Sequence, residues 1–255
     1  MARRRFFVPG IRHRQAELTG DDAHHLVRVL RVEAGQTYEI ADRAGGVYLA
    51  VVSEARKNRV VFDVGEPVAL KALPVNLTLV FALIKFDRLE WIFEKGTELG
   101  VAVFQPVIAE RSEKGLDKAA DKRSERWQRI VVEAAQQSRR DDLPEIREVS
   151  TLREAVAGGG YGVRLLLDEA DEGATVPLLA ALPPVEARQP ADRVALLLGP
   201  EGGWTEEERG LAAGAGWKPV SLGPQILRAE TAAIAGASLI TGAWLASSSS
   251  PRPAK

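Results

Sequence analysis

Residues 77–84, Leu-Thr-Leu-Val-Phe-Ala-Leu-Ile, form a nearly unbroken apolar run of strand length, and no other feature narrows the fold as far. A strand with one wet face alternates polar with apolar residues, whereas a strand covered on both faces need not, and parallel sheets flanked by helices meet that condition. From Pro74 onward the chain alternates strand with helix. Leu89, Ile92, Phe93, Gly96 and Leu99 recur at helical spacing, and Gly100 is placed to stop that helix. Residues 101–108 form the next strand. Trp127, Ile130, Val131 and Ala134 then line one stripe of a second helix, leaving Arg123, Arg126, Arg129 and Arg139 to face water or a ligand. Residues 163–167, 194–198 and 220–222 continue as strands, so the fold class is α/β.

The first seventy residues follow a different pattern. Asp21 or Asp22 is placed to cap a helix carrying Ala23, Leu26, Val27 and Leu30 on one face, and residues 37–41, 47–52 and 59–64 read as short strands separated by turn residues. Such a module suggests a small barrel. Pro67 and Pro74 bracket a linker. The expected division is therefore 1–72, 73–246 and a disordered Ser- and Pro-rich tail at 247–255. Residues 170–192, rich in Pro and Ala, suit a loop more than an element.

The chain contains no Cys, which excludes disulfide scaffolds, thiolate metal sites and thiol catalysis and fits a reducing compartment, the cytoplasm by default. The apolar run after the first basic residues ends at Pro9 and Gly10, too soon for a secretory leader. Residues 229–246 are apolar nearly all round, but Glu230 and several Thr, Ser and Gly residues interrupt them, so the expectation is a buried helix and no membrane span. The net charge is −1, yet residues 1–31 hold seven Arg against three acids, and residues 111–140 hold nine cations against five acids. Two basic patches thus sit on a neutral protein. His24 and His25 are adjacent, point apart on a helix and have no third ligand nearby, so no metal is expected.

Two stretches carry the chemistry. In Leu196-Leu197-Leu198-Gly199-Pro200-Glu201-Gly202-Gly203-Trp204-Thr205-Glu206-Glu207-Glu208 a strand runs into a glycine turn and then a helix, with Thr205 and Glu208 spaced as a capping box. Open α/β sheets bind ligands at the carboxyl ends of their strands, so a pocket fits here; a tight connection that needs glycine is the other open reading. The spacing matches neither a phosphate loop nor the dinucleotide fingerprint. In Leu222-Gly223-Pro224-Gln225-Ile226-Leu227-Arg228-Ala229-Glu230-Thr231 the device recurs. A cation at a helix start opposes the dipole, so Arg228 requires an anionic partner: Glu230, Glu201 or a substrate.

These stretches, together with Glu-Lys-Gly-Thr-Glu-Leu-Gly at 94–100, His-His-Leu-Val-Arg-Val-Leu-Arg at 24–31, Arg-Trp at 126–127 and Glu-Ala-Ala-Gln-Gln-Ser-Arg-Arg at 133–140, resemble the bacterial family that methylates N3 of a uridine in small-subunit (16S) ribosomal RNA. The resemblance spans residues 3 to about 245. It implies a SPOUT methyltransferase domain with a deep trefoil knot and a mostly parallel sheet, preceded by a PUA-like RNA-binding barrel, and assembly as a homodimer. It further implies S-adenosylmethionine as cofactor, held around Leu167, Leu198, Gly199, Pro200, Gly202, Gly203, Leu222, Gly223, Ile226, Leu227 and Thr231.

Loss of the N3 proton makes uracil nucleophilic. Arg228 is the expected stabiliser of the resulting anion, and Glu201 or Glu230 the proton acceptor. Glu201 is favoured, because a side chain within a glycine turn has few packing partners. Arg3, Arg5, Arg28, Arg31, Lys85, Lys95, Arg111, Arg139 and Arg140 are the expected RNA contacts, each with the alternative of a solvated surface charge. The competing functions are methylation of a different RNA nucleotide and a noncatalytic RNA-binding role in ribosome assembly.

Overall fold

The computed structural model describes residues 4–42, 45–70, 72–169, 175–190 and 192–248. They form two compact units, one of residues 1–71 with 132–143 and the other of residues 72–131 with 144–255.

The first unit contains β1 (Arg5–Val8), β2 (Ile11–Arg12), β3 (Gln15–Thr19), α1 (Gly20–Arg28), β4 (Thr37–Asp42), β5 (Val47–Arg56) and β6 (Arg59–Pro67). Its six strands are ordered β1-β4-β5-β6-β3-β2, parallel between β1 and β4 and antiparallel elsewhere. Two register shifts bend β5, and β1 comes back against β3, so the sheet curls around its core. That core is Phe6, Val8, Ile40, Val52, Val60 and Phe62, closed by Ala23 and Leu26 of α1. Asp21 and Asp22 lie inside the first turn of α1 and do not cap it. Thr19 precedes the helix with no side-chain cap, and the Gly20 amide donates to Asn58 O in the β5–β6 turn.

The second unit contains β7 (Asn76–Ala82), α2 (Phe86–Glu98), β8 (Val103–Ile108), α3 (Leu116–Ala120), the start of α4 (Ser124–Ser138), β9 (Glu145–Ile146), β10 (Ser150–Thr151) and α5 (Leu152–Ala157). It continues through β11 (Val163–Leu167), β12 (Val176–Pro177), α6 (Leu178–Ala181), β13 (Arg193–Leu198), α7 (Glu206–Gly214), β14 (Lys218–Ser221) and α8 (Ala229–Ser248). The sheet is parallel throughout, ordered β10-β8-β7-β13-β11-β14-β12 with β9 beside β8.

Alternate residues of the apolar runs serve opposite faces. Leu77, Leu79, Phe81, Leu196 and Leu198 meet Phe93 of α2 and Ala237, Ile240 and Trp244 of α8, while Val80, Ala82, Ala195 and Leu197 meet Val156 of α5 and Ala212 of α7. Gly96 and Gly236 let α2 and α8 approach closely. A Cβ at Gly96 would lie 2.7 Å from the Phe104 ring, and one at Gly236 would lie 2.5 Å from Leu196.

Two expectations are corrected. Part of the Pro- and Ala-rich segment is ordered: β12 pairs with β14 at the sheet edge, where Pro177 costs no ladder bond that a neighbour needs, and α6 follows. Helix α8 is long and apolar enough by length and composition to cross a membrane, because its Gly, Ala, Ser and Thr residues are only weakly polar. One stripe of it packs on the sheet, while Leu239 and Leu245 are exposed. The expected disordered tail begins within this helix, and its last seven residues lie outside the described ones.

Candidate active site

The strand order brings three bends to one edge. β11 lies between β13 and β14, paired in parallel with both through Leu166 to Leu197 and Leu167 to Val220. The chain leaving Leu167, Leu198 and Ser221 therefore emerges at the same carboxyl end, with the outer two strands about 10 Å apart. The indole of Trp204, only 2% exposed, donates to Leu167 O at 3.0 Å and so ties two of the bends together. Asp168 N donates to Val220 O at 3.1 Å, which adds the third. The buried Asp168 carboxylate is gripped by Arg209 of α7, Nε to Oδ2 at 2.7 Å and Nη2 to Oδ1 at 3.1 Å, and this pairing raises the pKa of Arg209.

The turn after β13 is held from several directions. Gly203 N donates to Pro200 O at 2.9 Å, and Gly203 has φ +70°, a conformation that L side chains rarely adopt. A Cβ at Gly199 would lie 3.1 Å from the Trp204 indole. Thr205 and Glu208 form the expected capping box. Glu208 also does something that the motif does not announce: its Oε1 accepts from Glu110 N at 2.8 Å, fastening the loop after β8 to the start of α7. From the same loop, Arg111 Nη1 donates to Gly202 O at 2.9 Å and to Trp204 O at 3.4 Å. Arg88, in the first turn of α2, forms an ion pair with Glu201.

The second bend is open. Gly223, Pro224 and Gln225 are exposed, and Ile226 is 80% exposed. Leu222 and Leu227 are half-buried. Arg228 O accepts from Ala232 N at 2.9 Å, which opens α8. The Arg228 side chain is exposed, and no carboxylate among the described residues lies within salt-bridge distance. Two residues on, Glu230 Oε2 is buried without a hydrogen-bond partner among the described residues, and Thr231 is exposed. The edge thus offers backbone donors and acceptors, an exposed cation and a carboxylate oxygen in need of a donor.

Several sequence expectations change here. Glu201 is not a lightly contacted side chain, since Arg88 occupies its carboxylate. Arg111 is exposed and braces the glycine turn through Nη1, which donates to two of its backbone carbonyls. Lys95 sits between Glu94 and Glu98, whose hydrogen bonds raise its pKa. In the first unit Arg5, with its side chain 7% exposed, pairs with Glu39 and Asp141 and donates to Arg139 O at 3.1 Å. Arg140 is buried, bonds Asp142 at 3.1 Å and has its pKa lowered, chiefly by burial. These last two are structural cations, not surface ones. In the second unit Arg123 and Arg126, whose side chains are exposed, converge on Glu90. Arg28, Arg31, Lys85 and Arg139 are exposed, and Arg3 lies outside the described residues.

Sequence reasoning missed Arg88 and Asp168 entirely. Nothing local marks them, because their partners lie 113 and 41 positions away.

Comparison with known proteins gives a consistent picture. A family model described as an RNA methyltransferase domain matches residues 71–241, and one described as an RNA methyltransferase PUA domain matches residues 18–65. The chain is 39% identical over 220 residues to the ribosomal RNA small subunit methyltransferase E of Synechocystis, covering 84% of this chain and 69% of the other. It is 32% identical to the protein of that name from Bacillus subtilis, covering 88% of each. Among solved structures, the ribosomal RNA small subunit methyltransferase E of Neisseria gonorrhoeae bound to S-adenosyl methionine superposes with a TM-score of 0.82 at 31% identity, over 95% of this chain and 98% of that one. A putative methyltransferase of Legionella pneumophila in complex with the same cofactor gives 0.84 at 31% identity, again over 95% and 98%.

Proposed function

The chain belongs to the RNA methyltransferase family, and from that premise we propose that it transfers a methyl group from S-adenosylmethionine to N3 of a uridine in 16S ribosomal RNA. The observation that carries the reading is the convergence of three bends beside an exposed guanidinium and an unpartnered carboxylate oxygen.

The residues present suit the cofactor. Backbone at Leu198, Gly199, Pro200, Gly202 and Gly203 follows one neighbour of β11 and Leu222, Gly223, Ile226 and Leu227 follow the other, with Leu167 at the end of β11 between them, and the exposed Ile226 supplies an apolar surface for a flat ring. The exposed Thr231 hydroxyl is available to polar groups of a bound nucleoside, and the half-buried Glu230 beside it carries a carboxylate oxygen without a donor among the described residues. When bound, S-adenosylmethionine supplies an electrophilic methyl group on a sulfonium.

The chain's own residues manage the acceptor. Uracil N3 is a poor nucleophile while protonated, and its anion spreads charge onto O2 and O4. Arg228, lacking a protein counter-ion among the described residues, stabilises that charge. Glu230 accepts the proton, because Glu201 is committed to Arg88. Glu201 and Arg88 hold the glycine turn in register with α2, and alignment is where much of the rate arises.

The protein acts as a cytoplasmic homodimer on the small subunit or its RNA. The unburied apolar residues Leu239 and Leu245 of α8 support a seam between copies.

The test is incubation with labelled S-adenosylmethionine and small subunits, or free ribosomal RNA, from a strain lacking the enzyme, followed by nucleoside analysis. Label on N3 of uridine is expected. Label on another nucleotide overturns the substrate assignment, and failure to bind submillimolar cofactor by calorimetry favours an assembly factor without turnover.

A further inference from the structure

Among the described residues, four that are not glycine have positive φ: His13 at +48°, Arg14 at +60°, Arg31 at +53° and Arg139 at +55°. All four belong to the first unit, and three of them are Arg and the fourth His. Glycine and asparagine ordinarily fill such positions, because a Cβ there crowds the neighbouring carbonyl. Arg31 follows α1 and Arg139 follows α4, and both were already candidate RNA contacts from the sequence. His13 and Arg14 have no assigned role.

These two are the whole loop of the β2–β3 hairpin, since Arg12 pairs with Gln15 and Ile11 with Ala16. A two-residue loop with both φ positive favours Asn-Gly, and here it carries His-Arg. The conformation is enforced from outside: Val64 N donates to Arg14 O at 2.8 Å, and Arg14 Nε reaches Val64 O at 3.4 Å. Arg12, His13 and Arg14 are all exposed, and none has a carboxylate within salt-bridge distance among the described residues. The nearby acids are occupied, Asp63 by the Gln15 amide at 2.9 Å and Glu17 by Arg59 at 2.8 Å. A strained turn kept in a sequence that forgoes the relaxed residues is a mark of function.

We infer that the Arg12–Gln15 hairpin tip is an RNA-binding site, with Arg14 on a phosphate and the His13 ring against an unpaired base. Arg14 is suited to this because only its Nε is used internally, leaving the two terminal nitrogens for a phosphate. The imidazole of His13 is a flat face at the apex of a fixed turn, a form that single-stranded RNA stacks upon. The inference rests on the RNA methyltransferase reading.

The test replaces the tip with its relaxed equivalent, His13→Asn with Arg14→Gly, in the full chain. Two changes of opposite sense are expected. Amide exchange at Ala16 and Leu18 slows by about fivefold as the strain is relieved. Affinity for small subunits or protein-free small-subunit RNA, whichever the wild type binds, falls by about five- to eightfold at 0.1 M salt, and the slope of log K against log salt drops by about one.

Arg14→Lys should restore the slope, and Arg56→Ala, which removes an exposed cation elsewhere in the unit, should leave affinity within about twofold. Unchanged affinity in the Asn-Gly variant, or an equal loss in Arg56→Ala, overturns the inference. Faster exchange at Ala16 and Leu18 overturns its strain premise. A wild type that methylates while the variant binds equally well sinks only the hairpin; a wild type that neither binds nor methylates RNA sinks the parent reading as well.

Discussion

Replacing Glu208 with Ala tests whether the glycine turn is held by its surroundings or by its own sequence. Its carboxylate accepts from Thr205 N at 3.0 Å within the capping box and from Glu110 N at 2.8 Å across to the loop after β8. Thr205 still caps the helix through its hydroxyl, and losing the reciprocal half of the capping box, the acceptor of Thr205 N, costs about 1 kcal/mol. Losing the bond from the Glu110 amide to a charged acceptor costs about 2 kcal/mol more, within the range for hydrogen bonds to charged groups. The sum of about 3 kcal/mol corresponds to a fall of about 6–12 °C in melting temperature for a domain of this size. Because Glu208 fixes the residue that follows the turn, part of the loss reappears as the cost of ordering residues 199–204 around a ligand, and cofactor affinity should fall by about tenfold. Glu208→Gln keeps one acceptor and should lose about half as much. Differential scanning calorimetry and titration with S-adenosylmethionine measure the two effects. If Glu208→Ala melts within about 1 °C of wild type and binds the cofactor equally well, the turn is self-supporting and the bracing described above carries no energy.

Gly203→Val puts a β-branched residue at φ +70°, where space is open but the backbone conformation is unfavourable; cofactor binding should be lost in calorimetry while the parallel sheet persists by circular dichroism. Arg228→Ala should lower kcat by about a hundredfold with cofactor Kd nearly unchanged, and Glu230→Gln should lower kcat more than Glu201→Gln; an equal loss of cofactor affinity in Arg228→Ala would remove Arg228 from the acceptor site. At the start of α5, the Thr151 backbone amide holds the Glu154 carboxyl below its ordinary pKa. Its stabilising contribution is therefore present above the unfolded value and is lost as the pH falls through the lower folded one. Protection factors of the amides in α5, which correct for the intrinsic pH dependence of exchange, should fall in acid, and Glu154→Gln should remove that fall.

The legible part of the fold was the part written in local pattern. Apolar runs at 77–84 and 194–198 have no polar alternation because α2 and α8 cover one face and α5 and α7 the other. Thr205 and Glu208 announce a helix start because the capping geometry needs only three residues of separation. Charges were legible only as charges. Arg5 and Arg140 look like surface cations in the sequence, yet each finds an acid that the fold supplies, and the Arg88 to Glu201 pair joins residues 113 apart. The segment before β13 reads as loop by composition, because a two-residue edge strand and one helical turn are too short to show a period. The left-handed turn at His13 and Arg14 was unreadable for another reason: it lacks the residues that normally signal one.

The polypeptide passes between the two compact units at 71–72, 131–132 and 143–144, so the smaller unit is assembled from two separate stretches of gene. Within that unit the later stretch is secured by Asp141, which pairs with Arg5 at the very beginning of β1. A recombination event that appended or deleted the N-terminal stretch alone would strand residues 132–143 without their electrostatic anchor. The smaller unit is for that reason a poor cassette for exchange with unrelated enzymes.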